Sequence, residues 1–501
     1  MTFKAVLSKI FAKFVAHKIR KWSAHPTKTQ AKAFSDLMKG GRDTAFGRDH
    51  NFQSINSYED FKKQIPIRDY EDFIPYIDRI KKGEKNVLWK GKPLYFSKTS
   101  GTTSGVKYIP ISKESISNHI NAARNAILMY IAETGKTDFV NGKMIFLSGS
   151  PELGETAGIP TGRLSGIVNH HVPKYLRKNQ MPSYKTNCID DWEIKVSAIV
   201  EETFDKNMTL ISGIPPWVQM YFDKLIEKTG RPIKDIFPDF SLFIYGGVNY
   251  ESYRNKIEGT IGKKIDSIEL YPASEGFIAF QDSQQEPGLL LILNDGIFYE
   301  FIPASEYFNE NRTRISLKDV ELDVNYAIIL STNAGLWGYS IGDTVKFVSL
   351  NPYRIIVTGR IKHFISAFGE HVIAEEVEKA LLKAAQEEKV AIVEFTVAPQ
   401  VNPTRGELPF HEWFIEFASM PTDIGAFRLK VDHSMRELNI YYKDLLDGNI
   451  LQPLKINVMQ KDSFINYMRS QGKLGGQNKM PRLSNDRKIA DELKKFVDSP
   501  L

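Results

Sequence analysis

At 501 residues the chain is too long for one compact core, and at roughly 100–200 residues per domain two to four structural units are expected. A composition of 42% hydrophobic and 25% charged residues excludes extensive disorder. The formal charge of +6 is weak over this length. It suits anionic small molecules such as nucleotides, and no dense Lys/Arg block with interleaved aromatics marks a nucleic-acid groove.

The single Cys188 excludes an intramolecular disulfide and a multi-cysteine zinc site, and it suits a reducing, cytoplasmic setting. Nothing nearby in sequence would activate it, so it reads as an inert, partly buried thiol. No apolar run approaches the ~18 residues of a membrane span.

In chain order, Phe3, Val6, Leu7, Ile10, Phe11, Phe14, Val15, Ile19 and Trp22 recur at helical spacing, with Lys4, Lys9, Lys13, Lys18, Arg20 and Lys21 over much of the other side. This stretch lacks the uninterrupted apolar core and cleavage site of a secretory signal. Docking on the protein's own body is the expected arrangement, with peripheral membrane contact as the alternative. Helices and turns continue to about Lys90, broken at His25-Pro26 and Ile65-Pro66.

From Pro93, short apolar segments predict buried strands at Met144–Leu147, Thr209–Ile211, Leu242–Tyr245, Ser267–Tyr271, Leu289–Leu293 and Ala327–Leu330. Helical stretches at Ser115–Ile131 and Trp217–Lys228 interleave with them, which argues for a layered α/β domain. Phe298–Phe301 and Thr344–Val348 read as antiparallel strands. After an amphipathic helix at Ala374–Ala385, the tail reads strand, strand, helix, strand, helix, a small α+β domain. The expected division is residues 1–375 and residues 376–501, with the boundary in Thr358–Glu375.

Three clusters carry chemistry. In Thr99–Gly105, two glycines flank Thr102, Thr103 and Ser104 beside Ser100, so backbone N–H groups and hydroxyls can turn toward an anion. The Gly-Lys-Ser/Thr ending of a Walker A loop is absent, and an ordinary flexible turn is the alternative. Tyr271-Pro272-Ala273-Ser274-Glu275-Gly276 places an aromatic ring, a hydroxyl and a carboxylate near a strand end. They could stack a base, bond a phosphate and hold Mg²⁺. Gly335–Asp343 ends in a carboxylate suited to ribose hydroxyls. Inside it, Gly338-Tyr339-Ser340-Ile341-Gly342 matches the serine-hydrolase pattern, but a β-segment follows where a nucleophile elbow needs a helix. His170-His171, on a strand, would face opposite sides and could not easily share a metal.

The order of these clusters, followed by Thr358-Gly359-Arg360, Gly369-Glu370 and Gln477-Asn478-Lys479-Met480-Pro481-Arg482-Leu483, resembles the adenylate-forming enzymes. Within them the wording is similar to the Gretchen Hagen (auxin-responsive) acyl acid–amido synthetases, a family with bacterial members, over roughly Tyr95 to Arg482. The resemblance implies a large N-terminal adenylate-forming domain with layered sheets and helices and a small mobile C-terminal one. It implies ATP and Mg²⁺, a carboxylic acid and an amine, and a monomer or homodimer.

By that resemblance, Ser100, Gly101, Thr102, Thr103 and Ser104 line the triphosphate. Gly246, Gly247 and Val248 form the adenine-side loop, and Tyr271 stacks on adenine. Ser274 contacts the α-phosphate, Glu275 serves catalysis and the metal, and Asp343 and Arg360 hold the ribose. Lys479 is the late lysine of the adenylation step. Gly359–Gly369 would join the domains, with Lys362 or His363 at the pivot. The acyl pocket is expected near Ser148–Ile167, Trp217 and Tyr221. An acyl-CoA or thiol ligase shares every motif, and a non-catalytic nucleotide-binding regulator is the reading from another class.

Overall fold

The computed structural model describes residues 3–100, 106–173, 177–247, 250–361, 364–365, 370, 372–403, 407–447, 450–474, 479–484 and 486–499. The chain divides into two compact units. The first comprises Met1–Val248, Ile257–Ile341 and Val345–Ile356; the second comprises Asn249–Lys256, Gly342–Thr344 and Val357–Leu501. The second unit therefore borrows two short segments from within the preceding chain, which local sequence patterning does not anticipate.

The first unit opens with helices α1 (Phe3–Ser23), α2 (Pro26–Gly41), α3 (Ala45–Asp49), α4 (Tyr58–Gln64) and α5 (Tyr70–Lys81). Both sequence breakers act as expected, Pro26 starting α2 and Ile65 capping α4. Ser57 and Asp69 close capping boxes with Asp60 and Asp72, satisfying amides at the starts of α4 and α5.

Strands β1 (Tyr95–Ser100) and β2 (Val106–Ile111) pair antiparallel, with Ser100 opposite Val106. With β4 (Gly154–Thr156) and β5 (Ile159–Gly162) they form a four-stranded sheet in the order β2-β1-β5-β4. The sequence reading did not anticipate this sheet. Strands β1, β4 and β5 are short or hydroxyl- and glycine-rich, so their period-2 signal is faint beside the apolar β2.

The larger sheet has twelve strands. In chain order it takes in β3 (Lys143–Phe146), β6 (Gln180–Met181), β7 (Met208–Ser212), β8 (Leu242–Gly246), β9 (Asp266–Ala273) and β10 (Gly276–Phe280). It continues with β11 (Leu289–Leu291), β12 (Ile297–Pro303), β13 (Ile315–Ser316), β14 (Asn325–Thr332), β15 (Tyr339–Leu350) and β16 (Tyr353–Arg360). Spatially the order is β13-β12-β14-β15-β16-β11-β10-β9-β8-β7-β3-β6. The strands β3, β7, β8 and β9 run parallel. Met208–Ile211 and Leu242–Tyr245 are buried throughout, as expected for parallel strands covered on both faces. Helices Pro215–Thr229 and Glu251–Ile261 provide the crossovers from β7 to β8 and from β8 to β9. Helix α6 (Ile116–Thr134) packs on this half of the sheet and receives α1.

The second unit contains the short pair β17 (Phe364–Ile365) and β18 (Val372–Ile373), then a four-stranded sheet. That sheet is β19 (Ala391–Gln400), β20 (Phe410–Ser419), β21 (Lys455–Met459) and β22 (Val497–Ser499), in that order. Helices Ala374–Glu388 and Ile424–Leu438 bury Val377, Leu381, Phe427 and Val431 in one core with Trp413.

Candidate active site

In the first unit, the carboxyl ends of the parallel strands lie on one edge, where open α/β sheets bind ligands. Ser148 follows β3, Gly246-Gly247 close β8, and Ser274-Glu275 turn β9 into β10. Neither Ser274 nor Glu275 adopts positive φ, although Ala273 pairs with Gly276 across a two-residue turn. Gly246 is required sterically: a Cβ there would stand 2.4 Å from the Leu270 carbonyl oxygen on β9. Gly247 follows in the left-handed region at φ +85°, a conformation that favours glycine.

The buried Ser97 on β1 donates a 3.0 Å hydrogen bond to Ser274 Oγ. This fixes the root of the hydroxyl-rich segment against the β9–β10 turn. Thr99 and Ser100 belong to β1 itself; Gly101, Thr102, Thr103, Ser104 and Val248 lie outside the described residues. Tyr339 donates to Glu275 Oε1 at 3.3 Å. Burial, reinforced by the Glu275 charge, pushes the Tyr339 phenol well above its ordinary range, so it stays a donor. Tyr271 is 7% exposed and belongs to the main apolar core. Ser340 is buried on β15 and accepts from Tyr307 at 2.8 Å, with no helix behind it, which removes the hydrolase alternative.

Around Ser148 the structure adds a residue the motifs did not single out. Lys195 Nζ donates to the carbonyl oxygens of Ser148 (2.9 Å) and Asn187 (2.6 Å). Burial, with the neighbouring Arg163 charge adding, lowers its pKa to about 8. Its signal was present: in helix Trp192–Thr203, Lys195 falls among Trp192, Val196 and Ile199 on the buried face. Trp217 meets Trp192 with ring centroids 4.5 Å apart. Tyr221 is fully buried, its hydroxyl 2.6 Å from Thr203 Oγ1, an interior packing position joining two helices. Cys188 is partly buried and its thiol pKa is raised, chiefly by burial. His170 and His171 end helix α7 (Leu164–His170) rather than occupying a strand. They face the Pro151 carbonyl and the Tyr95 hydroxyl.

In the second unit, Arg360 Nε and Asp343 Oδ1 form a 3.0 Å ion pair, beside a Thr358–Thr344 hydrogen bond of 2.8 Å. Lys479 feels both charges. Surrounding protein lowers its pKa to about 8, Asp343 opposing and Arg360 adding to the shift. Its side chain keeps substantial contact with solvent, so screening limits the energetic weight of that shift. The segment after it is pinned to β19: Val397 N–H donates to Arg482 O at 3.0 Å and Thr396 Oγ1 to Pro481 O at 2.7 Å. The buried Arg482 also pairs with Glu378 at 2.9 Å, with Glu394, and with the Tyr253 hydroxyl at 2.8 Å. Glu370 is fully buried, 2.9 Å from His411 Nε2, and anchors this unit's core. Lys362, His363 and Gly369 lie outside the described residues.

The fold is shared with solved structures. It matches the GH3.15 acyl acid amido synthetase in complex with 2,4-DB at TM-score 0.79 and 16% identity, covering 97% of this chain and 96% of that one. It matches 2-hydroxyisobutyryl-CoA ligase in the postadenylation state at TM-score 0.63 and 12% identity, covering 94% and 91%. The jasmonoyl–L-amino acid synthetase JAR4 of Nicotiana attenuata is 23% identical over 76% of this chain and 77% of its own length. The chain belongs to the GH3 family: that family's N-terminal, central and C-terminal domains match residues 15–195, 290–360 and 375–488 in order.

Proposed function

We propose that this protein is an ATP-dependent ligase that converts a carboxylic acid to its acyl-adenylate and passes the acyl group to an amine, an amino acid in our reading. The observation that carries it is the complete, ordered set of GH3 domains around a strand edge where Ser97, Ser274, Glu275 and Tyr339 are joined. An acid carboxylate oxygen attacks the α-phosphorus of ATP, and the bond to pyrophosphate breaks. The amine nitrogen then attacks the acyl carbon, the bond to AMP breaks, and the amine proton passes to solvent.

Residues 100–104 hold the β- and γ-phosphates through backbone N–H groups and hydroxyls. Ser274, oriented by Ser97, contacts the α-phosphate; Gly246, Gly247 and Val248 pass the adenine, with Tyr271 beneath it. Asp343 and Arg360 take the ribose hydroxyls. Lys479 supplies a positive charge for the adenylation step. Ser148 and Trp217 border the acyl pocket, whose floor is stiffened by Lys195 and by Tyr221 packed beneath.

Among the described residues no group of three or more His, Cys, Asp or Glu could cage a metal. A single carboxylate, Glu275, beside substrate phosphates is the usual donor set for Mg²⁺. When bound, Mg²⁺ neutralises phosphate oxygens as charge develops. Tyr339 holds Glu275 oriented for that duty.

The test is product identity. Protein, ATP, Mg²⁺ and a panel of aryl and aliphatic acids are incubated with equimolar amino acids and coenzyme A. AMP and an acyl-amino acid in the mass spectrum support the reading; an acyl thioester alone reassigns the second step to a thiol.

A further inference from the structure

Helix α1 divides its apolar residues between two faces. Ala12, Val15, Ala16 and Ile19 are buried against Ala122, Ala126 and Met129 of α6 and its surroundings. This inward stripe is built mainly from small side chains. On the other side Val6, Leu7, Ile10, Phe11 and Phe14 are exposed, Ile10 by 62% and Phe14 by 54%. At 3.6 residues per turn the five fall within an arc of about 140°. The helix therefore docks on the protein's own body, and the five large apolar side chains of its other face stay 42–62% exposed.

Cations frame that face. Lys9, Lys13 and Arg20 lie along one border and Lys4 along the other, while Lys18 and Lys21 fall within the arc toward its C-terminal end. Lys18 Nζ stands 4.2 Å from the Phe14 ring centroid, and Arg124 of α6 approaches Phe11 at 5.9 Å. The helix carries six Lys/Arg and no Asp or Glu, and outside it basic and acidic residues balance at 60 each. The whole formal excess of +6 thus resides in α1. Elsewhere exposed large apolar side chains are scattered, which is ordinary for a protein surface.

We infer that α1 is a docking helix for an anionic lipid surface, lying in the plane of the interface. No described helix is long and apolar enough to cross a membrane. An apolar ridge alone would serve many partners, and a cationic rim alone would serve any polyanion. An apolar ridge bordered by cations and ending in Lys18 and Lys21, with no carboxylate on the helix, fits acyl chains beneath anionic headgroups. This surface involves none of the residues assigned to adenylation, so it stands or falls apart from that reading.

The experiment is sedimentation of the full chain with vesicles of phosphatidylcholine alone and of phosphatidylcholine with about a third phosphatidylglycerol. The helix should give at least tenfold tighter binding to the anionic vesicles, weakened by 0.5 M salt, which shortens the ~10 Å screening length of 0.1 M buffer. Ile10→Gln with Phe14→Gln should lose at least tenfold of that binding, and Lys9→Gln with Lys13→Gln should lose the lipid preference. Both variants alter exposed side chains; an unchanged melting temperature confirms that they fold. Equal sedimentation of wild type and Ile10→Gln/Phe14→Gln, or no sedimentation of wild type with anionic vesicles, overturns the inference. So does a change of oligomeric state in the variants without vesicle binding by the wild type, which would make α1 an interface between copies.

Discussion

Ser97 Oγ donates a 3.0 Å hydrogen bond to Ser274 Oγ across 177 residues of chain, joining the strand that leads into the hydroxyl-rich loop to the turn that carries Glu275. The two hydroxyls are buried together, so neither can exchange its partner for bulk water. Ser97→Ala should raise the KM for ATP several-fold while costing about 1–3 kcal/mol of stability, since Ser274 loses a buried partner. Steady-state kinetics with thermal melting would check it. An unchanged KM would show that the bond does not orient the phosphate side of the site.

Glu275→Gln keeps an acceptor for Tyr339 but removes the charge. Adenylation should fall about a hundredfold, with the Mg²⁺ concentration for half-maximal rate moved upward and the melting temperature nearly unchanged. A Mg²⁺ titration of the adenylation rate reads this directly. A rate loss with an unaltered Mg²⁺ dependence would confine Glu275 to holding the turn.

The protonated Lys479 is the useful form, and its pKa is lowered to about 8. Adenylation should therefore be nearly fully supported at about pH 7, half supported near pH 8 and fall about tenfold per pH unit well above it. Lys479→Arg, which retains its charge, should remove that alkaline decline. Asp343→Asn removes the charge that holds the pKa up, so the decline should begin at lower pH. A pH–rate profile that Lys479→Arg leaves unmoved would assign the ionisation elsewhere.

Gly246→Ala tests the strand edge through packing. The added methyl would meet the Leu270 carbonyl at 2.4 Å, and the cost should be about 1–3 kcal/mol in unfolding by denaturant. Wild-type stability would mean that β8 and β9 separate without penalty.

Much of this was legible in the residues. Thr209–Ile211 and Leu242–Tyr245 read as buried strands from their short apolar runs, and Pro26 and Ile65-Pro66 punctuated the early helices. The sheet of β1, β2, β4 and β5 was not, because β1, β4 and β5 are short or hydroxyl- and glycine-rich and lack clear alternation. Lys195 was overlooked because a charged residue at a buried helical position is read as a break in pattern, while here two carbonyls receive it. The outward ridge of α1 escaped for another reason: period alone counts apolar positions and does not say which of them meet α6, here Ala12, Val15, Ala16 and Ile19. The pairing of Ser97 with Ser274 is a tertiary fact that local pattern does not encode.

The central claim, that this protein forms an acyl-adenylate, is tested most directly by carboxylate-dependent exchange of labelled pyrophosphate into ATP over a panel of aryl and aliphatic acids. The account predicts exchange that requires both an acid and Mg²⁺ and that falls by orders of magnitude in Lys479→Ala while ATP binding survives. ATP binding without exchange under any acid, or equal exchange with no acid present, would contradict it.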